Sequence, residues 1–322
     1  MIKYMGRSAK ILGTSKYIPE KIVTNKDLEK IVDTNDEWIV ERTGIKKRHF
    51  ALEGEKCSDL AYRAAVLALE DSGLAADQID MVLVGTNSPD TVFPSVSCKV
   101  QGMLGAVNAG AIDIQAGCTG SLTALSVAAS GIASGIWDKV LVIGAEVFKD
   151  IIDWTDRGTC ILFGDGAGAC VLGVSDSEAV GFKSTRLLAE GTSHGLLTLE
   201  CDENHVTPVV KMKGNEVFRF VNTVMPKFIK KFCEDSDVKP EDIDFWVFHQ
   251  ANTRIIDGVF KRLNVSQDKT LINLPEYGNT SAASLMITLH EAVEAGRIKS
   301  GDKICFVAFG AGMTLGALLY EA

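Results

Sequence analysis

Aromatic residues, proline and histidine are scarce in this sequence of 322 residues. Aromatic residues make up 7% of the chain, and there are 7 prolines and 5 histidines. The 8 cysteines form no CxxC pair, so the sequence offers neither a zinc ribbon nor a CxxC redox motif. Such cysteine usage predicts a reduced, cytoplasmic protein, and we expect no metal site and no cofactor.

The chain also has fewer basic residues than acidic ones. The 33 basic residues are outnumbered by 42 acidic ones, which gives a net charge of −9. A chain of this charge lacks the basic field that nucleic-acid binding requires, so any anionic partner has to meet a local basic patch. The longest apolar stretches have the length of strands, and the first residues lack the apolar segment of a signal peptide. Neither a membrane span nor secretion is therefore expected.

The sequence does contain a pattern of elements that repeats after half its length. Residues 77–87 (DQIDMVLVGTN) and 241–250 (EDIDFWVFHQ) each predict the end of a helix followed by a strand. The aspartates before these strands, Asp80 and Asp244, are 164 residues apart (244 − 80). A repeat of this size indicates a duplicated α/β unit.

A second pair of positions repeats at the same distance. Lys139 and Lys303, which precede later strands of the two copies, are again 164 residues apart (303 − 139). We therefore divide the chain into an N-terminal half, residues 1–175, and a C-terminal half, residues 176–322. No linker rich in Pro or Ser lies between them, so the two halves are expected to share one core.

The duplicated unit predicts the layers of the fold. Helical patterns precede both strand signals, at residues 58–73 and 218–236, and helices rich in small residues follow at 121–134 and 280–292. Small side chains let helices approach other backbones closely, so the second pair of helices belongs between two sheets. The prediction is an α/β fold with five layers in the order helices, sheet, helices, sheet, helices.

Cys118 is the candidate nucleophile. In the alignment of the two halves it falls opposite Asn279, 161 residues later (279 − 118), and both residues lie where a strand is predicted to turn into a helix. The N-terminus of a helix has unpaired N–H groups and partial positive charge, which favour a thiolate. Gly117 and Gly120 relieve the tight turn and leave the sulfur accessible.

His249 ends an apolar strand, FWVFHQAN, and is expected at the carboxyl edge of the sheet, where open α/β sheets bind ligands.

Papain-like proteases also present a cysteine, a histidine and an asparagine in this order. The 131 residues from Cys118 to His249 (249 − 118) match the spacing in those enzymes. However, no CG[SA]C[WY] motif surrounds Cys118, no signal peptide is evident, and those proteases are not built from two repeated halves. The sequence therefore favours a different cysteine chemistry.

Several segments resemble β-ketoacyl-[acyl-carrier-protein] synthase III of the thiolase superfamily. They are TNDEWIVERTGIKKRH, TDRGTCILFGDGAGA, GNEVF, HQANTRI and YGNTSAAS, and the likeness runs nearly end to end. The resemblance implies a thiolase-like fold, a homodimer and a condensation in two steps. Cys118 would take an acyl group from an acyl-CoA, and malonyl-[acyl carrier protein] would then lose CO₂ and attack it. His249 and Asn279 would stabilise the enolate with N–H donors.

The resemblance also assigns binding positions. The oxyanion hole for acylation would be formed by the backbone N–H groups of Cys118 and Ala311, a position at which many relatives carry glycine. Phe93 would reach into the pocket of the partner subunit. The residues implied in binding coenzyme A and its pantetheine arm are Thr34, Trp38, Arg42, Arg157, Gly214, Asn215, Phe218 and Asn252. An acidic carrier protein needs a local basic patch on this acidic chain, and the residues expected to form it are Arg219, which follows GNEVF, and Arg254, Lys261 and Arg262, on the helix predicted after His249; Gln250 of HQAN is counted with them.

Two departures from the family pattern and two alternatives leave the substrate open. Ser121 stands where many relatives carry a larger apolar residue, and Met286 stands where proline is common. Either change can alter the acyl pocket, so the starter need not be acetyl. Initiation of bacterial fatty-acid synthesis is the leading prediction, and a starter synthase of a polyketide or quinolone pathway would share every catalytic residue. A non-enzymatic protein that binds acyl thioesters is the alternative from another class, and the combination of Cys118, His249 and Asn279 argues against it.

Overall fold

The computed structural model of the protein describes residues 1–4 and 6–322. The strands are β1 (Ile2–Lys3), β2 (Ala9–Tyr17), β3 (Lys21–Thr24), β4 (Lys47–Phe50), β5 (Met81–Gly85), β6 (Gly110–Ile114), β7 (Lys139–Glu146), β8 (Gly166–Val174), β9 (Gly181–Ala189), β10 (Leu197–Asp202), β11 (His205–Met212), β12 (Phe245–Phe248), β13 (Lys303–Gly310) and β14 (Thr314–Glu321). The α-helices are α1 (Asn25–Leu28), α2 (Asp36–Thr43), α3 (Cys57–Ser72), α4 (Val96–Leu104), α5 (Gly120–Ala133), α6 (Gly214–Asp235), α7 (Thr253–Leu263), α8 (Leu274–Tyr277) and α9 (Ser284–Glu294).

Two five-stranded sheets carry the predicted duplication. The first has the strand order β2-β8-β7-β5-β6, and the second has the order β1-β9-β14-β13-β12. Strands β2, β8, β7 and β5 of the first sheet correspond to β9, β14, β13 and β12 of the second. The directions also match, because β5 and β12 each run parallel to the next strand, β7 or β13, which in turn pairs antiparallel with β8 or β14.

The repeated aspartates make the same contacts in both copies. Asp80 Oδ2 accepts a hydrogen bond from the backbone N of Lys139 at 2.8 Å, and Asp244 Oδ2 accepts one from Lys303 at 2.9 Å. The backbone N of each aspartate donates in return to the carbonyl of the same lysine, at 2.9 Å in both copies. Each aspartate therefore ties together the starts of two neighbouring parallel strands, which accounts for the repeated spacing.

Helices α5 and α9 lie between the two sheets, as predicted. Their apolar side chains, such as Leu122 and Leu285, share one core with strands of both sheets. Helices α3 and α4 cover the outer face of the first sheet, and α6 and α7 cover the outer face of the second. The five predicted layers are thus confirmed.

The second copy departs from the first before Asn279, where the prediction of a strand was wrong. Thr270 makes a single bridge to Trp246 in place of a strand matching β6, and the short helix α8 follows. Gly278 ends α8 with a φ of +68°, a conformation that favours glycine. The central helix begins only at Ser284, after a 3₁₀ turn over Ser281–Ala283.

The boundary between the predicted halves falls in the loop that joins β8 to β9. Strand β1 nevertheless pairs antiparallel with β9, with Ile2 opposite Thr185. The first residues of the chain therefore extend the sheet of the C-terminal half. None of the helices in residues 1–4 and 6–322 combines the length and the apolar character that a membrane span requires.

Candidate active site

Cys118 lies in the turn between β6 and α5, directly before the N-cap residue Thr119. Gly117 has a φ of +59°, and a Cβ at this position would lie 2.5 Å from the backbone N of Ala311. Both the turn and this close approach require glycine. The turn therefore brings the cysteine against the C-terminal glycine-rich segment.

The C-terminal segment packs closely on the cysteine turn from its own side. A Cβ on Gly310 would lie 2.3 Å from the backbone N of Cys118, and Ala311 lines a cavity together with Cys118. In the described chain, the residues other than glycine with positive φ are Asp237, Asn264 and Ser281. Ala311 thus has a backbone conformation that accommodates its methyl group, and its position is compatible with the predicted oxyanion hole.

Burial dominates the electrostatics of the nucleophile. Removal from water raises the pKa of the Cys118 thiol to about 12; the Ser281 hydroxyl, 3.3 Å from Sγ, acts to lower this pKa, and the carboxyl group of Glu146 acts to raise it. The sequence favoured a thiolate at this position, but desolvation outweighs the helix N-terminus for a residue that is only 6% exposed. The thiol therefore has to lose its proton during attack on a substrate.

His249 directly follows β12 and points into the same interior. Its backbone N donates to Val307 O at 2.9 Å, and its Nδ1 lies 2.6 Å from Ser284 Oγ. Nε2 is buried and has no hydrogen-bond partner among the described residues. Burial lowers the pKa of His249 to about 3, so the imidazole is neutral near pH 7.

Asn279 is held in place by backbone hydrogen bonds to the LFGDG segment and by a hydrogen bond that its side-chain amide accepts. Its backbone N donates to Leu162 O at 2.8 Å, and its carbonyl accepts from Gly164 N at 3.0 Å. The side-chain Oδ1 accepts from Ser281 N at 2.8 Å, which leaves Nδ2 as the outward donor. A Cβ on Gly164 would lie 2.3 Å from Tyr277 O, and this close approach explains why the first residue of FGDG after the phenylalanine is a glycine.

The three predicted catalytic side chains lie around one pocket. Cys118, His249 and Asn279 all line a cavity of about 530 Å³. A second cavity of about 510 Å³ adjoins the first, with Cys118, Phe163 and Leu197 lining both. The larger apolar side chains on the remaining wall of the second cavity are Phe148, Ile151, Leu199 and Val210. The pocket can therefore hold a polar thioester at the sulfur and an apolar chain beyond it.

Most of the residues predicted to bind coenzyme A also line the first cavity. Those that line it are Trp38, Arg42, Gly214, Asn215, Phe218 and Asn252. Arg157 Cζ lies 5.2 Å from the centre of the Trp38 ring, and Arg42 Cζ lies 5.9 Å from it. Two guanidinium groups thus flank one indole, an arrangement suited to an anionic ligand with an aromatic base.

Two of these predicted residues are placed differently. Among the described residues, Thr34 and Arg157 do not line the cavity itself. The Thr34 hydroxyl is buried without a partner in the described chain, and Arg157 donates to Asp33 O at 2.8 Å. Asn252 lines the cavity while its Oδ1 caps α7 through Arg254 N at 2.9 Å and its Nδ2 donates to Arg42 O at 3.0 Å. Asn252 therefore joins α2 to α7.

The prediction that Gln250 contacts the carrier protein was wrong. Gln250 is 1% exposed, and its Nε2 donates to Phe248 O at 3.0 Å and to Leu271 O at 3.1 Å. Its Oε1 accepts from Leu274 N at 3.4 Å. The side chain faces the interior because it completes hydrogen bonds of the loop that leads to α8, and it has no surface left for a partner.

The other four predicted residues are exposed on α6 and α7, which pack against each other. They are Arg219, Arg254, Lys261 and Arg262. Arg254 lies nearest to the chemistry, because it lines the first cavity and its Cζ is 5.4 Å from the centre of the Phe218 ring. These cations lie on two adjacent helices, and one of them reaches the pocket, in a molecule that is acidic as a whole.

The two departures from the family pattern lie between the sheets. Ser121 and Met286 are both 0% exposed, and neither lines one of the two cavities among the described residues. The expectation that they shape the acyl pocket is therefore wrong as far as direct contact is concerned. Phe93, in contrast, is 83% exposed on the loop before α4.

A buried polar network behind Cys118 was missed at the level of sequence. The fully buried Glu146 accepts from Asn87 Nδ2 at 2.6 Å through Oε1. Asn87 Nδ2 also lies 3.1 Å from Gly117 O and 3.3 Å from Ser281 Oγ, so the network reaches the sulfur through Ser281. An acidic residue at the end of the apolar strand KVLVIGAE was the signal that could have revealed it.

Comparison with known proteins agrees with this geometry. Family models match residues 112–191 (3-Oxoacyl-[acyl-carrier-protein (ACP)] synthase III) and residues 233–322 (its C terminal part). Beta-ketoacyl-[acyl-carrier-protein] synthase III of Caldanaerobacter subterraneus subsp. tengcongensis is 49% identical over 95% of this chain and 96% of its own length.

Two solved structures extend the comparison. The crystal structure of 3-oxoacyl-[acyl-carrier-protein] synthase III from Aquifex aeolicus is 44% identical, covers 98% of this chain and 100% of its own, and superposes with a TM-score of 0.93. The priming beta-ketosynthase of the R1128 polyketide biosynthetic pathway is 33% identical, covers 100% of this chain and 98% of its own, and has the same TM-score of 0.93. With full-length identity at this level and a cysteine, a histidine and an asparagine around one pocket, the chain belongs to the beta-ketoacyl-[acyl-carrier-protein] synthase III family of condensing acyltransferases.

Proposed function

We propose that the protein condenses an acyl-CoA with malonyl-[acyl carrier protein] to give 3-oxoacyl-[acyl carrier protein], and that this reaction initiates fatty-acid synthesis. The observation that carries the proposal is the arrangement around one pocket of a thiol, Cys118, and two side chains that can each present an N–H, His249 through Nε2 and Asn279 through Nδ2. Decarboxylation of a malonyl thioester needs such a pair of donors, because negative charge develops on the thioester oxygen.

The first step transfers the acyl group to Cys118. Sγ attacks the carbonyl carbon of the acyl-CoA, the C–S bond to coenzyme A breaks, and coenzyme A leaves with the proton of the thiol. The backbone N–H groups of Cys118 and Ala311 would stabilise the tetrahedral oxyanion. The adjoining apolar cavity would receive the acyl chain.

The second step forms the carbon–carbon bond. The malonyl carboxylate leaves as CO₂, and its bonding electron pair becomes an enolate whose oxygen faces His249 Nε2 and Asn279 Nδ2. The enolate carbon attacks the acyl-Cys118 carbonyl, and the C–S bond to the enzyme breaks. The sulfur then takes up one proton, and 3-oxoacyl-[acyl carrier protein] leaves.

Mass spectrometry of the intact protein after incubation with a series of acyl-CoAs tests the first step. We expect one acyl adduct, lost in Cys118→Ala and retained in Cys98→Ala, which removes an exposed cysteine as a matched control. The mass of the preferred adduct identifies the starter. Formation of 3-oxoacyl product and CO₂ after addition of malonyl-[acyl carrier protein] tests the second step. Tight acyl-CoA binding with no adduct would instead indicate a binding protein.

A priming synthase of a polyketide pathway is the second candidate. The similarity to the R1128 priming beta-ketosynthase favours it, although that chain, at 33% identity, is less similar than the Caldanaerobacter beta-ketoacyl-[acyl-carrier-protein] synthase III at 49%. Competition between a carrier protein of fatty-acid synthesis and one of a polyketide pathway distinguishes the two. A clear preference for the polyketide carrier would overturn the fatty-acid assignment.

We propose that the carrier protein binds to the basic surface formed by Arg219, Arg254, Lys261 and Arg262. An acidic partner is attracted to such a patch, and Arg254 lies at the pocket. Arg254→Glu is expected to raise KM for malonyl-[acyl carrier protein] by at least tenfold, with the rate of acyl transfer from acyl-CoA almost unchanged. Lys239→Glu serves as the control, because Lys239 is exposed and precedes the start of β12, whereas His249 follows the end of this strand. Equal effects of both substitutions would contradict the assignment.

We also propose that two copies of the chain form a homodimer through the edge strand β6. The surface around this edge exposes apolar side chains, with Val92 93%, Phe93 83% and Ile112 48% exposed. Unpaired strand edges of this kind associate readily. Analytical ultracentrifugation should give the mass of a dimer, and Phe93→Asp should weaken association. A monomer at micromolar concentration would rule the proposal out.

A further inference from the structure

A neutral histidine carries its proton on only one ring nitrogen, and its hydrogen-bond partner decides which one. The proposed function needs an N–H on His249 Nε2, because His249 lines the pocket and this nitrogen has no partner among the described residues. The structure contains a residue placed to make that choice. Ser284, the first residue of α9, is 2% exposed, and its Oγ lies 2.6 Å from His249 Nδ1.

The direction of this hydrogen bond follows from the other contact of the hydroxyl. Ser284 Oγ also accepts from the backbone N of Gln250 at 3.4 Å, and a backbone N–H can only donate. If Nδ1 carried the proton, two N–H groups would point at one oxygen. The serine proton would then need a third partner, and the described residues offer none within hydrogen-bond distance of Oγ.

The alternative therefore leaves a buried hydroxyl proton unsatisfied, which is unfavourable in the interior of a protein. When the serine donates to Nδ1, all three groups are satisfied and the imidazole proton lies on Nε2. Protonation of both nitrogens is also disfavoured, since burial lowers the pKa of His249 to about 3. The Ser284 hydroxyl does not cap α9, because the helix begins after Ala283 without a side-chain cap.

We propose that Ser284 is a positioning residue that fixes the Nε2–H tautomer of His249, so that the imidazole donates to the enolate during decarboxylation. This inference rests on the proposed function for its catalytic meaning, but the tautomer itself is a property of the free protein. Ser284 acts through His249 and does not need to touch the substrate.

Nitrogen NMR of the full-length protein labelled with ¹⁵N-histidine tests the tautomer without substrate. The signals of His249 are assigned by their disappearance in His249→Gln. We expect Nδ1 to show the chemical shift of an unprotonated nitrogen and Nε2 that of a protonated one. Ser284→Ala should convert this pattern into a mixture of tautomers, and Ser284→Thr, which keeps the hydroxyl, should restore it. A protonated Nδ1 in the unsubstituted protein would overturn the proposal.

Kinetics test the consequence for catalysis. Ser284→Ala is expected to slow CO₂ release from malonyl-[acyl carrier protein] by about 10-fold to 100-fold, while acylation of Cys118 changes little. Ser121→Ala is the matched control, since it removes another buried serine hydroxyl between the sheets, one without a partner in the described chain. An Nε2–H tautomer in a protein that fails to condense would refute the proposed function alone. Normal condensation by Ser284→Ala would refute the role of Ser284.

Discussion

Replacement of Asn279 by alanine should separate acyl transfer from decarboxylation. The substitution removes the Nδ2 donor, and loss of one such donor raises the barrier by about 3–4 kcal/mol, or about 10²-fold to 10³-fold in rate. This loss should fall on the release of CO₂ from malonyl-[acyl carrier protein]. Acylation of Cys118 depends on backbone N–H groups and should therefore be affected far less than decarboxylation.

The structure also predicts a smaller effect on acylation. Asn279 Oδ1 accepts from Ser281 N at 2.8 Å, and the Ser281 hydroxyl lies 3.3 Å from Cys118 Sγ. Loss of one neutral hydrogen bond costs about 1 kcal/mol, so acylation should slow by about fivefold. Asn279→Asp keeps an acceptor for Ser281 N, but its negative charge opposes the enolate. It should therefore decarboxylate more slowly than Asn279→Ala.

Two rates have to be measured on the same variants. Rapid-quench mass spectrometry gives the acylation of Cys118, and release of labelled CO₂ from malonyl-[acyl carrier protein] gives decarboxylation. The expected order for decarboxylation is the unsubstituted protein, then the alanine variant, then the aspartate variant. If alanine lowered both rates by the same factor, or if aspartate decarboxylated faster than alanine, the assignment of Nδ2 as the enolate donor would be refuted.

Three further perturbations test the geometry of the site. Gly164→Ala should lower the free energy of unfolding by about 1–3 kcal/mol in urea titrations, because the new Cβ would lie 2.3 Å from Tyr277 O. The control is Gly102→Ala on α4, where a Cβ meets nothing within 4 Å, and this substitution should raise the free energy of unfolding by about 0.5–1 kcal/mol. His249 has a pKa of about 3 when folded and about 6.5 when unfolded, so the unfolded chain binds more protons between these values and stability falls as the pH drops through this range. Urea unfolding should show about 2–3 kcal/mol of the free energy of unfolding lost through this group between pH 7 and about pH 4.5. The total loss should be smaller in His249→Gln, and equal losses would contradict the buried neutral imidazole. Ser281→Ala removes the hydroxyl next to Sγ and should raise the apparent pKa for iodoacetamide labelling of Cys118, with labelling of the exposed Cys98 as the internal control; an unchanged pKa would show that this contact does not stabilise the thiolate.

Much of the architecture could be predicted because duplication leaves a periodic trace. The spacing from Asp80 to Asp244 predicted two equivalent units, and in the structure both aspartates bind the following lysine backbone at equivalent places. The small residues of α5 predicted a helix between sheets, because only small side chains permit such close packing. The repeat spacing and the size of the side chains were therefore sufficient to predict these features.

Predictions that depended on the copies being identical failed. The missing strand before Asn279 follows from Gly278 and the short helix α8, whose turns have no equivalent before Cys118. Gln250 was assigned to the surface because it follows His249 in a motif, yet its side chain faces inward. A linear sequence gives the order of residues, whereas the direction of a side chain depends on segments far away in the chain.

The identity of the reacting groups was determined by the sequence alone: a cysteine between glycines, a histidine at the end of an apolar strand, and an asparagine in the matching turn. Only the tertiary structure decided their states. Burial keeps Cys118 a thiol and His249 neutral, and Ser281 and Ser284 orient the donors of Asn279 and His249. Desolvation and hydrogen-bond direction depend on which distant segments meet, and folding alone brings those segments together.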